Sequence, residues 1–176
     1  MLINWYPIHS EKELQSFLNF YVPFCLNLLS NLNIDINTFN IEGDHIGLQC
    51  LSSEEFNLVD KELLKFSKLI NAGVIHNRRN NIYLLNNYIK VGTIEIKSIE
   101  IFEPKPDADV TKLKPGIEHI SLISPNFDDL HSFFIVNGLP VDKMGIDEVH
   151  KFFKTKLINM IEIEFRNDCL YKKFEK

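Results

Sequence analysis

The sequence is poor in glycine and arginine, and it lacks the motifs that these residues usually build. Only 7 glycines are present, and three of the 19 basic residues are arginines. The glycines form neither a GxGxxG nor a GxxxxGK(S/T) pattern, which excludes the usual glycine-rich phosphate-binding loops. No serine lies in a GxSxG segment, which excludes the nucleophile elbow of α/β-hydrolases.

The charge balance and the short apolar runs exclude two further partner classes. The formal net charge is −5, and no run of basic residues interleaved with aromatic residues is present. Nucleic-acid binding relies on clustered Lys and Arg, so we expect no nucleic-acid partner. No apolar run approaches the roughly 18 residues that a membrane span needs, so we expect no membrane contact.

Cysteine is scarce, with three residues and no CxxC pair. The odd number and wide spacing of Cys25, Cys50 and Cys169 argue against a disulfide framework, so we expect reduced thiols in a reducing compartment. The N-terminal segment has no basic start followed by an apolar stretch, as a signal peptide would. These features predict a cytoplasmic protein.

The chain does contain ample material for a core, since 45% of its residues are hydrophobic and 14 are Phe. Ser10 and Glu13 have the spacing of a helix capping box, and apolar residues follow at helical spacing to about residue 32. Pro23 interrupts this pattern because it cannot donate the helical hydrogen bond, so it predicts two helical pieces or one kinked helix. We interpret residues 1–41 as an N-terminal helical arm.

The segment after the arm has the pattern of a strand, a helix and three further strands. Residues 44–51 have the composition of a strand, and a capping box at Ser52 starts a helix whose apolar spacing continues to about Ile70, with Gly73 as its stop. The last of the three strands, "TIEIKSIEIF", alternates strictly between apolar and polar residues. The three strands are predicted at 74–78, 82–91 and 93–102. We interpret 42–106 as one βαβββ module.

A second, weaker copy of this pattern follows the Pro- and charge-rich connection "EPKPDADVTKLKPG". Residues 118–123 have the composition of a strand, and Asn126 can cap a helix. Acids at the start and lysines at the end of 147–154 predict a short helix there. A strand at 159–165 comes last. We interpret 116–176 as a second, degenerate βαβββ module, joined with the first in one compact domain.

Two similar strands each carry a histidine. "GDHIGLQCL" begins at residue 43 and "GIEHISLIS" at residue 116, and both read acidic residue, His, Ile, small residue, Leu. Because side chains alternate along a strand, His45 shares a face with Gln49, and His119 lies on the corresponding polar face. A single strand histidine is usually a structural hydrogen-bonding residue. The repetition at matching positions makes metal binding an equal alternative.

The last strand of each half supplies carboxylates. Glu100 lies in "SIEIFEP", and Glu164 lies in "IEIEF" with Glu162 on the same face. Two His and two Glu offer nitrogen and oxygen donors to one divalent ion, and such a set suits Zn, Ni, Fe, Co or Mn. Taken singly, Glu100 and Glu164 are also explained as solvated strand carboxylates.

The motifs "DHIGLQC", "IEIFEP", "IEHISL" and "IEIEF", in this order, resemble the paired modules of the vicinal-oxygen-chelate superfamily. More narrowly, the N-terminal helical segment, "DHIGLQC", "INAGVIHNRRNNIYLL" and "PGIEHISL" resemble the bacterial YecM family over most of residues 10–166. The resemblance implies an α+β fold in which two βαβββ modules form a curved mixed sheet around a cleft. It also implies four metal ligands: His45, Glu100, His119 and Glu164.

The resemblance implies a reaction type but no particular reaction. The superfamily implies a metal-dependent isomerase, lyase or oxidoreductase that acts on a small, oxygen-rich anionic substrate. The ion would bind substrate oxygens, and Glu164 would act in catalysis by leaving the metal and carrying a proton. The fourth ligand is open, since Glu162 competes with Glu164 for that role.

Arg78, His76 and Gln49 are the candidate substrate-binding residues. A guanidinium pairs bidentately with carboxylate or phosphate, so Arg78 in "IHNRRNN" is either an anion clamp or a turn residue. The alternative function is a non-catalytic small-ligand-binding protein that uses the same cleft. A third possibility is a partner-binding role for the helical arm. The oligomeric state is open between monomer and homodimer.

Overall fold

Two copies of a strand–helix–three-strand unit follow an N-terminal helix. The structure, a computed structural model, describes residues 10–75, 77–109, 111, 116–146, 150–158 and 161–174. The helices are α1 (Glu11–Asn31), α2 (Ser53–Leu63) and α3 (Phe127–Val136), and Tyr171–Lys173 forms a 3-10 turn. The strands are β1 (Glu42–Gln49), β2 (Ser67–Ile75), β3 (Arg78–Val91), β4 (Ile94–Phe102), β5 (Gly116–Ile123), β6 (Lys143–Ile146), β7 (Lys151–Ile158) and β8 (Ile161–Arg166).

The eight strands form one mixed sheet in the order β2-β3-β4-β1-β5-β8-β7-β6. At its centre β1 and β5, the first strands of the two modules, pair antiparallel. Each is flanked in parallel by the last strand of its own module, β4 beside β1 and β8 beside β5. The predicted α+β fold, with two βαβββ modules in a curved and open mixed sheet, is confirmed, whereas the domain boundaries stay predictions.

The N-terminal helix α1 is held by its cap and by one apolar face. Ser10 Oγ accepts a hydrogen bond from the backbone N–H of Glu13 at 3.2 Å, as the capping box predicts. The buried face consists of Leu14, Leu18, Tyr21, Val22, Cys25 and Leu29. Pro23 is exposed within one helix, so the alternative of two separate helical pieces is wrong. Among the described residues, no helix combines the length and apolar character that a membrane span requires.

The core lies between the helices and one face of the sheet. Alternate residues of the four central strands point into it and are fully buried or nearly so: Ile46, Leu48, Ile99, Ile101, Ile120, Leu122, Ile163 and Phe165. Apolar residues of α2 and α3, such as Phe56 and Phe134, complete this layer. Because side chains alternate in a strand, the opposite face carries the residues between these, including both predicted site histidines.

The helix that was predicted to run to about Ile70 ends earlier, which is a correction. α2 ends at Leu63, and β2 begins at Ser67, whose hydroxyl donates to the carbonyl of Leu63 at 2.5 Å. β2 pairs with β3 along its length, and this ladder satisfies the backbone of a segment whose 3–4 apolar spacing also fitted a helix. Gly73 lies within β2 and does not end a helix.

The short helix predicted at 147–154 is also wrong. Residues 151–158 form β7, in which Phe153 and Thr155 are fully buried and alternate with lysines. This period-2 pattern, together with pairing to β8, outweighs the charge pattern that suggested a helix. Residues 147–149 lie outside the described part. The second module therefore has the same five elements as the first, with a four-residue β6 at its edge.

Candidate metal centre

The two histidines lie side by side on the central strands of the sheet. Gly47 is opposite His119 in the β1–β5 ladder, and His45 is opposite Ser121. The Nε2 atoms of the two imidazoles are 3.1 Å apart, the rings are nearly perpendicular, and both side chains are buried. A Cβ atom on residue 47 would lie 2.2 Å from the His119 ring, so glycine there makes room for the imidazole.

The carboxylate of Glu100 faces the same point. It lies beside Gly47 because β4 runs parallel to β1. Its Oε2 atom is 3.6 Å from Nε2 of His45 and 3.7 Å from Nε2 of His119. Asn80 of β3 donates from Nδ2 to the other oxygen, Oε1, at 2.9 Å. One oxygen of Glu100 is thus held by a neutral amide, and the other is directed at the imidazoles.

These three donor atoms fit a divalent ion. Their separations of 3.1, 3.6 and 3.7 Å define a triangle whose corners all lie about 2.0 Å from its circumcentre, close to typical Zn–N and Zn–O bond lengths. His45, Glu100 and His119 therefore form a buried group that can hold a metal ion. Two nitrogens and one oxygen suit Zn, Ni, Fe, Co or Mn, and the identity of the metal is open.

Asp44 orients the first imidazole. A bulge in β1 makes Asp44 an extra residue in the ladder with β5 and turns its carboxylate toward the neighbouring ring. Nδ1 of His45 donates to Oδ2 of Asp44 at 2.8 Å, and the backbone N–H of Leu170 donates to the same oxygen at 3.1 Å. A proton fixed on Nδ1 leaves Nε2 for a metal, as second-shell carboxylates do in metalloproteins. Strand alternation alone does not indicate this role of Asp44.

The surroundings shift the pKa values of the two imidazoles in opposite directions. Burial by itself lowers the pKa of His45, but the carboxylates of Asp44 and Glu100 outweigh it and raise that pKa to about 9. Burial, followed by the positive charge of Lys154, holds the pKa of His119 well below its usual value. A charged His45 can donate from Nε2 to a neutral His119, which accounts for their 3.1 Å contact.

Strand register identifies Glu164, and not Glu162, as the counterpart of Glu100. In the first module, Glu100 lies beside the residue two positions after His45. In the second module, Glu164 lies beside the residue two positions after His119. Glu162 lies beside His119 itself, a place that a serine takes in the first module.

Glu164 is held by two cations on the same face of the sheet. Its Oε1 atom accepts from Arg166 at 3.1 Å and from the Ser121 hydroxyl at 3.4 Å. Its Oε2 atom is 3.2 Å from Nζ of Lys154, which also binds Glu162 at 2.8 Å. Burial raises the pKa of Glu164, but the neighbouring imidazoles and the cations Lys154 and Arg166 outweigh it and lower that pKa. Its roles as fourth ligand and catalytic residue stay predictions.

The predicted substrate residues Arg78 and Gln49 lie together beside the imidazoles. Arg78 donates to Oε1 of Gln49 at 2.7 Å, and its guanidinium lies 4.2 Å from the centre of the Phe102 ring. That ring is 6.1 Å from the ring of His119. The carboxylate of Glu118 is 3.6 Å from the guanidinium, whose Nε has no partner within the described residues. Arg78 is therefore buried on the cleft face.

The other two residues of this stretch are His76 and Arg79. His76 lies outside the described residues, so its predicted role stays a prediction. Arg79 forms ion pairs with Glu103 and lies 4.4 Å from the ring centre of Phe56 in α2, so it joins the helix to the sheet. Hydrogen bonds from Arg79 are the main reason that the pKa of Glu103 is lowered to about 2.

Comparison with known proteins agrees with this geometry. The model of the family described as YecM protein matches residues 10–135. A solved structure described as "Structural Genomics, Protein EC4020" is 16% identical with a TM-score of 0.71, covering 98% of this chain and 95% of that chain. A variant of Streptomyces coelicolor methylmalonyl-CoA epimerase in complex with 2-nitronate-propionyl-CoA is 16% identical with a TM-score of 0.52, covering 70% and 94%.

The methylmalonyl-CoA epimerase from Mycobacterium tuberculosis is also similar, at 12% identity and a TM-score of 0.51, covering 70% of this chain and 86% of that chain. No curated protein matches the chain. At these identities the likeness to solved structures establishes the fold alone. The family match spans more than half of the chain, and the fold is similar to that of the methylmalonyl-CoA epimerases. The chain belongs to the YecM protein family.

Proposed function

We propose that this protein is a metal-dependent enzyme of the vicinal-oxygen-chelate type that acts on a small, oxygen-rich anionic substrate. The observation that carries this proposal is the buried group of His45, Glu100 and His119, whose donor atoms all lie within 4.8 Å of one another. A divalent ion held there supplies a Lewis acid that stabilises negative charge developing on substrate oxygens. The reaction is an isomerase, lyase or oxidoreductase type.

The residues around the three donors keep them ready to bind a metal. Asp44 fixes the orientation of His45, and Asn80 fixes that of Glu100. His119 stays neutral, which is the form of imidazole that coordinates metals. The centre lies where both modules meet, so a substrate there contacts side chains of both halves.

Arg78 binds a remote anionic group of the substrate. Its guanidinium is fixed by Gln49 and by the face of Phe102, so little conformational freedom is lost on binding. Its distance of 3.6 Å from Glu118 is longer than a hydrogen bond, which leaves donor capacity for an incoming carboxylate. His76, two residues before this arginine in the sequence, is retained as a further substrate-binding candidate.

Glu164 is the detachable fourth ligand and the proton carrier in this proposal. Its contacts with Lys154 and Arg166 support a position away from the metal. Its lowered pKa keeps it ionised at neutral pH, which is the form of a carboxylate that binds a metal. We further propose a cytoplasmic monomer or homodimer whose partner is the small-molecule substrate, without nucleic acid or membrane contacts.

Metal content tests the proposal. Untagged protein is expected to carry about one equivalent of a divalent metal after removal of loosely bound ions. His45→Ala and His119→Ala should each abolish this content, whereas His131→Ala, which alters a histidine packed against Phe127 and Phe153, should retain it. Unchanged metal content in both His45→Ala and His119→Ala would show that the centre is not a metal site.

The second candidate function is a non-catalytic small-ligand-binding protein. The cluster of Arg78, Gln49 and Glu118 favours it, because its contacts need no metal. Thermal-shift measurements with small carboxylic acids in excess chelator separate the two. If the acids stabilise the protein without metal, and this stabilisation is lost in Arg78→Ala, the ligand-binding function is supported. Stabilisation that appears only when a divalent metal is added supports the enzyme.

A further inference from the structure

The second module has two buried cations where the first has apolar side chains. Across the β3–β4 ladder, Glu100 is opposite Ile82. Across the β7–β8 ladder, its counterpart Glu164 is opposite Lys154. Two residues beyond the carboxylate, the first module has Phe102 and the second has Arg166. Equivalent carboxylates thus have neutral neighbours in one module and cationic neighbours in the other.

Both oxygens of Glu164 are occupied by these neighbours. Arg166 donates to Oε1 at 3.1 Å, and Nζ of Lys154 lies 3.2 Å from Oε2. Charge-assisted contacts of this kind are strong when they are buried, and the side chain of Lys154 is only 14% exposed. The carboxylate can reach a metal only by leaving a cation.

Of the two cations, Lys154 is the one whose removal disturbs fewer other contacts. Arg166 is fixed on its other side, since it also donates from Nε to the backbone carbonyl of Asp168 at 3.2 Å and forms an ion pair with that side chain at 3.3 Å. Lys154 is held only by carboxylates, Glu162 at 2.8 Å and Glu164, among its ion pairs. Its removal frees Oε2 of Glu164 and leaves Arg166 in place.

We propose that Lys154 is a positioning residue that holds Glu164, the detachable ligand, away from the metal in the resting protein, so that the centre then has three protein donors and keeps a coordination position open for the substrate. This inference rests on the proposed function, because it requires a metal at His45, Glu100 and His119. Ile82 occupies the position of Lys154 in the first module, and there Glu100 is directed at the imidazoles. The charge at this position of the third strand decides which carboxylate is bound to the metal in the resting protein.

The test uses Co²⁺ as the probe, because its visible absorption reports coordination number and geometry. Lys154→Met removes the charge and keeps most of the side-chain length. It should bind Co²⁺ about tenfold more tightly in competition with a chelator and with a changed visible absorption spectrum, since a fourth protein donor joins. Lys154→Arg keeps the cation and should match the wild type in both measurements.

Two further variants separate this effect from a general change in the fold. Lys156→Met alters a lysine on the same face of β7 that is 60% exposed and 3.9 Å from Glu162, and it should behave as the wild type. Adding Glu164→Gln to Lys154→Met should abolish the gain in affinity. Circular dichroism confirms that each variant is folded, and Lys154→Gln, which retains a donor without the charge, replaces Lys154→Met if that variant unfolds.

The outcomes distinguish this inference from the proposed function. If the wild type binds Co²⁺ and Lys154→Met (or Lys154→Gln) binds it with the same affinity and spectrum, the role of Lys154 is refuted and the metal site stands. If neither binds Co²⁺, both the metal site and the role of Lys154 are refuted. A gain seen in Lys154→Met that persists with Glu164→Gln also refutes the inference, because another residue would then supply the donor.

Discussion

Glu100 and Glu164 occupy the same place in the two modules, yet their surroundings differ. Glu100 offers one oxygen to the imidazoles and has its other oxygen on the neutral amide of Asn80. Glu164 has both oxygens on cations, Lys154 and Arg166. Backbone duplication thus places the two carboxylates symmetrically, while the residues beside them are neutral in one module and cationic in the other.

The histidines repeat this asymmetry. An acidic residue precedes each of them, and in both strands it is the extra residue of a bulge. Asp44 binds the ring of His45. Glu118 instead lies near Arg78, and Nδ1 of His119 has no partner within the described residues. The first module thus orients His45 through the carboxylate of Asp44, whereas the corresponding residue of the second module, Glu118, is directed at Arg78.

The largest expected effect comes from removing the carboxylate of Glu100, compared with removing that of Glu164. Glu100→Ala removes a donor of the centre and should weaken Zn²⁺ binding by at least about 100-fold, since second-shell changes alone cost 10- to 100-fold. Glu164→Ala should weaken it by less than about tenfold, because that carboxylate is bound to cations in the folded chain. Competition titration with a chelator measures both. Equal losses in the two variants would contradict the asymmetry.

Asp44 and Glu118 provide the next comparison. Asp44→Asn removes the carboxylate that orients His45 and should reduce Zn²⁺ affinity by about 10- to 100-fold. Glu118→Gln, the corresponding change in the second module, should leave Zn²⁺ affinity within about threefold of the wild type. The same titration measures them. If Glu118→Gln costs as much as Asp44→Asn, the two modules orient their histidines alike.

The pH dependence of metal binding follows from the difference between the imidazoles. The pKa of His45 in the metal-free protein is about 9, so below that pH a metal must displace its proton, whereas His119 carries none to displace. Apparent Zn²⁺ affinity should therefore rise about tenfold per pH unit between pH 6 and 8 and level off near pH 9. In Asp44→Asn the levelling should occur at lower pH. An affinity independent of pH across this range would contradict the charged state of His45.

The smallest expected effect concerns the amide that holds Glu100. Asn80→Ala removes its hydrogen bond and should weaken Zn²⁺ binding by about threefold to tenfold. Asn81→Ala is the matched control, because its amide binds Asp60 and Tyr83 on the other face. Asn81→Ala should reduce thermal stability without changing Zn²⁺ affinity. If Asn80→Ala also reduces only thermal stability and leaves Zn²⁺ affinity unchanged, Asn80 is only structural.

The three central donors could be predicted because each depends on a local pattern. His45 and His119 occur at the same place in two similar strands, and strand alternation puts both on the polar face. Glu100 follows from the strict alternation of "TIEIKSIEIF". Arg78 was indicated by the ability of a guanidinium to pair with carboxylate or phosphate, and it lies beside Phe102.

The remainder could not be predicted because it depends on strand pairing. The ion pairs of Glu164 come from Lys154, in a segment whose charge order suggested a helix, and from Arg166, whose direction depends on the sheet. Asp44 was missed because a strictly alternating strand puts it opposite His45, and only the bulge in β1 brings its carboxylate to that ring. Local sequence patterns do not contain the register that decides these contacts.

The most direct measurement is anomalous scattering from crystals of the protein loaded with one equivalent of Zn²⁺. The account predicts one strong peak bonded to Nε2 of His45, Nε2 of His119 and Oε2 of Glu100, at roughly 2.0–2.2 Å from each. A peak at another group of residues, or no ordered metal at these three atoms, would contradict it.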